Sequence, residues 1–228
     1  MSTSVQAIGT FAPQTREELK RLLTGLEAAA LFGCVLLDIW RWQRTHPHLW
    51  MAFLPVFAAS HLLHRDTIAD LGLGRMNLGP SARLALPIML GFYIPMVIFG
   101  LASGRFHFLW PGPAAAIYFL SYGSWCVAQQ DLTQSYFHNR LMRAIRNRHV
   151  SSLLVALMFG AAHIPNPVLM VATTIAGFIF SEVFARYRNI WPLALAQTVG
   201  GFLVAALTPA WLIHNMRVGP GYFFWGIR

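Results

Sequence analysis

Ala128-Gln129-Gln130-Asp131-Leu132-Thr133-Gln134-Ser135-Tyr136-Phe137-His138-Asn139-Arg140 follows an apolar run that ends at Val127 and precedes a basic segment reaching Arg148. Five amides or acids (Gln129, Gln130, Asp131, Gln134, Asn139) and one imidazole, His138, stand where a hydrophobic segment meets a charged one. Polar groups at that depth are unfavourable unless they are paired or used. Whether the run before them lies in a membrane decides the fold, and the surrounding chain bears on that.

The chain has 228 residues, of which 56% are hydrophobic and only 11% charged, with a mean hydropathy of +0.52. Soluble domains carry about 25% charged residues. Few charges and several long apolar runs predict an all-α polytopic transmembrane bundle. Cys34 and Cys126 both lie inside apolar runs, so they read as small core residues and give no disulfide framework or zinc cluster. The formal charge is +9. The arginines flank apolar runs, which points to topology and anionic lipid headgroups as partners. Without a separate basic domain interleaved with aromatics, nucleic-acid binding is not expected.

Along the chain, residues 1–21 read as a polar leader, 22–216 as one helical membrane domain and 217–228 as an aromatic tail. Thr15 with Glu18 three residues on resembles a helix start. Seven spans are predicted, or eight if a further or re-entrant piece exists. They cover roughly 22–40, 48–63, 84–102, 114–130, 150–164, 168–184 and 191–213. Glu27 either snorkels or faces the bundle, and Asp38 near Arg41 reads as interfacial. The segment 65–83, rich in glycine, reads as an extramembrane loop or surface helix. Phe108, Trp110 and the run Tyr222-Phe223-Phe224-Trp225 read as interfacial anchors. Arg16, Lys20, Arg21, Arg65, Arg75, Arg83, Arg186, Arg188 and the Arg140–Arg148 run all fall on one side. That bias predicts a cytoplasmic N-terminus in a bacterial inner membrane.

Three polar sites sit against apolar flanks. On a helix, Gln130, Gln134 and His138 share a stripe at i, i+4, i+8. Phe159-Gly160-Ala161-Ala162-His163-Ile164-Pro165-Asn166-Pro167 places a histidine at the end of a span, beside a proline-ended turn. Gln197-Thr198-Val199-Gly200-Gly201 joins a buried amide to small residues that allow close helix approach.

The order and spacing of these sites resemble the CAAX prenyl protease and bacteriocin-processing family of intramembrane proteases. That family shows Glu-Glu-x-x-x-Arg, then Phe-x-x-x-His, then His-x-x-x-Asn or Asp, each on its own membrane helix. The corresponding stretches are Gln129-Gln130-x-x-x-Gln134, Phe159-x-x-x-His163 and Gln197-x-x-x-Gly201, within a resemblance over about 114–207. It implies a CAAX-protease-like fold and endopeptidase action on a membrane-associated peptide or prenylated protein. By position, Gln129 takes the place of the general base, with Gln130 beside it. His163 and Gln197 take the places of the two histidines, and Gly201 that of the asparagine. Gln134, His138 and Phe159 fall among the binding positions. Only the second motif is intact. An amide cannot accept a proton as a carboxylate does, and amides are poor replacements for charged ligands of a hard metal. Catalysis is therefore expected to be weak, altered or lost. No cofactor is expected. A metal set of His138, His163 and Glu182 is conceivable, but its spacing specifies nothing.

Blander readings stand beside these. The glutamines can be interhelical hydrogen-bonding glue, each contributing about 0.6–2 kcal/mol. His163 can be a satisfied core histidine, His61 and His64 interface residues, and Glu182 the i,i+4 partner of Arg186. Arg140, Arg143 and Arg146 read as a lipid-facing basic surface. Asp131 lies about 100° from Gln130 and faces elsewhere. The rival to an endopeptidase is a non-catalytic membrane scaffold or partner-binding protein.

Overall fold

The computed structural model describes residues 11–105 and 113–224. Helix α1 (Phe11–Leu37) runs on through a π-helical turn, Asp38–Trp42. A 3-10 turn leads into α2 (Phe53–Leu63), then come a short α3 (Ile68–Leu71) and the long α4 (Leu78–Ala102). Helix α5 (Pro113–Gln130) passes without a break into a π-helical segment, Asp131–His138, and then into α6 (Asn139–Ile145). Four helices close the chain: α7 (Arg148–Ala161), α8 (Pro167–Tyr187), α9 (Trp191–Leu207) and the single turn α10 (Ala210–Ile213). No strand occurs among the described residues.

Local chemistry sets several of these boundaries. Asn147 and Asn166 cap α7 and α8 by accepting from the amides of Val150 and Leu169, and Pro167 occupies the first turn of α8. Thr67 and Asp70 form a reciprocal capping box on α3. Pro87 and Pro95 lie inside α4, as membrane helices tolerate. Helix α1 is already running at Phe11, so Thr15 lies within it and does not begin it.

Three of these helices are long and apolar enough to cross a membrane: Thr15–Trp42, Leu78–Ala102 and Pro167–Tyr187. The apolar helices Leu49–Leu63, Arg148–Ala161 and Trp191–Leu207 are shorter than the roughly 20 residues that span a hydrocarbon core. The helix of the fourth expected span, placed at about 114–130 or one to two turns further, continues unbroken through the polar cluster to Ile145. The seventh stops at Leu207, and Thr208 and Pro209 separate it from α10.

Two apolar clusters hold the bundle. One joins Ala85, Met89 and Tyr93 of α4 to Phe180 and Phe184 of α8 and to Leu193 and Ala196 of α9. The other joins Ala28 of α1 to Tyr136 and Phe137 of the π segment and Val155 of α7. The segment before α4 is not a free loop. Asn189 donates to the carbonyls of Gly74 and Met76, the Trp191 indole donates to Leu73, and the Ile190 amide donates to Gly72. Gly72 has φ +68, and a Cβ there would press on Phe184 and the Arg188 backbone, so only glycine fits this close approach. At the other end of the chain, Tyr222 stacks on His214 with ring centroids 3.9 Å apart, while Phe223 and Phe224 are exposed. Phe108, Trp110 and Trp225 lie outside the described residues.

Candidate functional site

The π-helical segment is the hub of the bundle. Gln130, Gln134 and His138 are all fully buried, as one stripe requires. Each meets a different helix. Gln130 donates to Gln197 of α9, Gln134 accepts from the Ser181 hydroxyl of α8, and His138 Nε2 lies 3.3 Å from the Ser152 hydroxyl of α7. Residues next to them reach other elements. Ser135 and Asn139 donate to the carbonyls of Leu71 and Asp70, and the Tyr136 hydroxyl donates to Glu27 of α1. Wide π turns recur at functional sites; here the wide turn spreads successive side chains over every neighbouring element.

At the membrane end of this stripe, three amides close on one another. Gln130 Nε2 donates to Gln197 Oε1 at 2.6 Å, and Gln197 Nε2 donates to Gln129 Oε1 at 2.6 Å. Gln129, Gln130 and Gln197 therefore meet at one point. The result is a clasp of neutral amides in which the Gln129 and Gln197 oxygens each accept one bond, while the buried Gln130 Oε1 has no hydrogen-bond partner among the described residues. Below it the α5–α9 seam continues through the buried Cys126. Gly201 and Gly200 are notches for two tyrosines. A Cβ on Gly201 would collide with the Tyr122 hydroxyl, and one on Gly200 would lie 2.6 Å from that of Tyr93.

His163 is bonded within its own helix turn and to α8. Its Nδ1 hydrogen-bonds the Phe159 carbonyl at 2.7 Å, its ring packs edge-on against Phe159, and Thr173 approaches the same nitrogen at 3.4 Å. The Phe-x-x-x-His spacing thus has a local use, since residues four apart meet on one helical face. Among the described residues no hydrogen bond joins His163 to Gln129, Gln130 or Gln197.

The conceived metal set is not assembled. Glu182 binds Arg148 at 3.0 Å and His149 at 3.1 Å, neither of them a member of that set, and its expected partner Arg186 lies instead over the Tyr187 ring. Among the described residues no three His, Cys, Asp or Glu side chains are placed to hold a metal ion. The clasp does not suit a divalent cation either, because its donors are uncharged and Gln129 and Gln197 already use their oxygens as acceptors.

Residues 132–203 match the family described as type II CAAX prenyl endopeptidase, Rce1-like. That segment is Rce1-like. The matched stretch includes Gln134, His138, Phe159, His163, Gln197 and Gly201, and begins just past Gln129 and Gln130. Neither the curated proteins nor the solved structures give a match.

A second polar centre joins the Rce1-like region to α1, α2 and the turn after α2, and it overturns several sequence expectations. Arg140 is fully buried, not lipid-facing. Its guanidinium lies 2.8 Å from Asp66, donates to the Ser60 hydroxyl at 3.0 Å and sits over the Tyr136 ring. Asp66 also receives Arg143 and, at 2.7 Å, His61. Glu27 accepts from Tyr136 at 2.8 Å, meets His64 at 2.8 Å and accepts from Ser60. Burial alone would raise the Asp66 carboxyl, but hydrogen bonds from His61, Arg140 and Arg143 hold it at about 2. The signals in the sequence were Glu27 in the middle of an apolar run and Arg140 one turn past Tyr136; their pairing required the fold.

Proposed function

We propose that this chain is an intramembrane endopeptidase relative in which the amide clasp has replaced hydrolysis. In this reading it receives a membrane-associated peptide or prenylated chain end in the Rce1-like region and does not cleave it there. The observation that carries the reading is the closed Gln129–Gln197–Gln130 clasp. A general base must take a proton from water in the transition state, and a carboxamide has no basic form near neutral pH. The clasp also leaves Gln129 and Gln197 bonded to each other, and His163 is committed to its own helix turn. The proposed topology is the seven- or eight-pass CAAX-protease-like one, with a cytoplasmic N-terminus in a bacterial inner membrane. The bias of basic residues supports it.

The test is direct. Purified protein in detergent is incubated with a farnesylated CAAX-type peptide carrying a photoreactive group. The expected result is crosslinking into residues 114–207 with no cleavage above buffer. Cleavage that is lost in His163→Ala or Gln129→Ala would sink the non-hydrolytic reading. No crosslinking at all would remove the proposed ligand.

A further inference from the structure

A cleft at one end of the bundle is unused by any of the chemistry above. It encloses about 170 Å³ and is lined by Asp70 of α3, Gly74, Met76 and Asn77 before α4, and Arg186 and Arg188 at the end of α8. Two membrane-length helices end here together: α8 stops at Tyr187 and α4 starts at Leu78. Helices of that length cross a hydrocarbon core of about 30 Å, so the residues just beyond their ends sit at headgroup level. The volume is well below the roughly 300–1,000 Å³ of pockets for drug-sized ligands and suits a headgroup.

Its lining is built for an anion beside apolar chains. Arg188 is fixed by donating to Asn139 at 2.9 Å and to the Asp70 carbonyl at 3.3 Å, and it stays 37% exposed. Asp70 accepts from Thr67 through Oδ2 in the capping box, and its Oδ1 lies 3.9 Å from Arg188; among the described residues no carboxylate pairs with the second cation, Arg186, whose guanidinium lies over the Tyr187 ring. Guanidinium groups pair with phosphate in forked geometry. Met76 is 65% exposed at the rim, and the exposed Trp191 ring is pinned to the same loop by its bond to Leu73. Both offer apolar surface where acyl chains leave a headgroup.

We propose that this cleft binds the phosphodiester headgroup of a membrane phospholipid, with Arg186 and Arg188 on the phosphate. The full chain, purified in a maltoside detergent that carries no phosphate, is titrated with dihexanoylphosphatidylglycerol and followed by thermal unfolding. A saturating rise in Tm is expected, with no rise from dihexanoylglycerol, which has the same chains and no phosphate. Arg186→Gln, at an exposed position, should raise the half-saturating concentration roughly tenfold, because a charge-assisted pair is lost. Arg188→Lys keeps the charge but loses the fork and should weaken binding as well. Arg105→Gln, far along the chain at the other end of α4, should respond like the parent. Equal rises from the two lipids would overturn the site, as would unchanged half-saturation in both Arg186→Gln and Arg188→Lys. An equal rise from inorganic phosphate at the same concentration would overturn the headgroup assignment.

Discussion

Gly201 shows how a single residue can carry two meanings. Its motif position is that of an asparagine, and its structural position is a notch filled by the Tyr122 hydroxyl. Restoring the asparagine therefore does not restore a site; it forces two side chains into one space. Gly201→Asn should destabilise the protein by about 1–3 kcal/mol, as overpacked cores do. Adding Tyr122→Ala should recover part of that loss, which a double-mutant cycle on Tm would read. Additive losses would mean that the two residues do not share the space. The clasp makes a second residue-scale prediction. Gln197→Leu leaves Gln130 and Gln129 without their partner, at about 1–3 kcal/mol for a buried unsatisfied group. The motif positions of these residues were legible in the sequence, but the tyrosine opposite Gly201 was not, because Tyr122 and Gly201 lie on different helices with no pattern linking them.

Among the elements, the long helix from α5 through the π segment to α6 organises the rest. Sequence reading placed its polar residues on one stripe, and burial of Gln130, Gln134 and His138 agrees with that. It read the arginines that follow as lipid-facing surface, because a run of like charges ordinarily is solvated. The fold instead drives Arg140 into the interior, where Asp66, Ser60 and Tyr136 receive it. Arg140→Met should leave Asp66 and Glu27 undercompensated and cost about 3–5 kcal/mol, the penalty for breaking a buried pair by one partner. The pH dependence follows from Asp66. Its folded value of about 2 lies below its ordinary value, so its contribution is present above pH ~4 and is lost as pH falls toward 2. The contribution is about 2 kcal/mol. In Asp66→Asn that segment of the acid-unfolding curve should flatten, while an unchanged curve would show that the acid transition belongs to other carboxylates.

At the scale of the bundle, α1, α4 and α8 are, among the described residues, the helices long and apolar enough to cross a membrane, alongside shorter apolar helices. The two cysteines report on this arrangement. Cys34 lies on an exposed face of α1, and Cys126 is buried in the α5–α9 seam. In intact membranes a charged maleimide should label neither. A lipophilic maleimide should label Cys34 and leave Cys126 unmodified until the protein is unfolded. Fast labelling of Cys34 by the charged reagent would show that α1 faces water.

By itself the sequence determined the solvent of this protein and the nature of its central stripe. Long apolar runs with few charges call for a lipid environment, and glutamines at motif spacing mark a neutral centre. Only the tertiary structure decided what those residues touch. Hydrogen bonds close over distances near 2.6 Å between side chains far apart in the chain, as Gln130 and Gln197 do. Ion pairs such as Arg140 with Asp66 depend on which helices pack together. Periodicity fixes the face on which a residue lies, and packing fixes the partner it meets there.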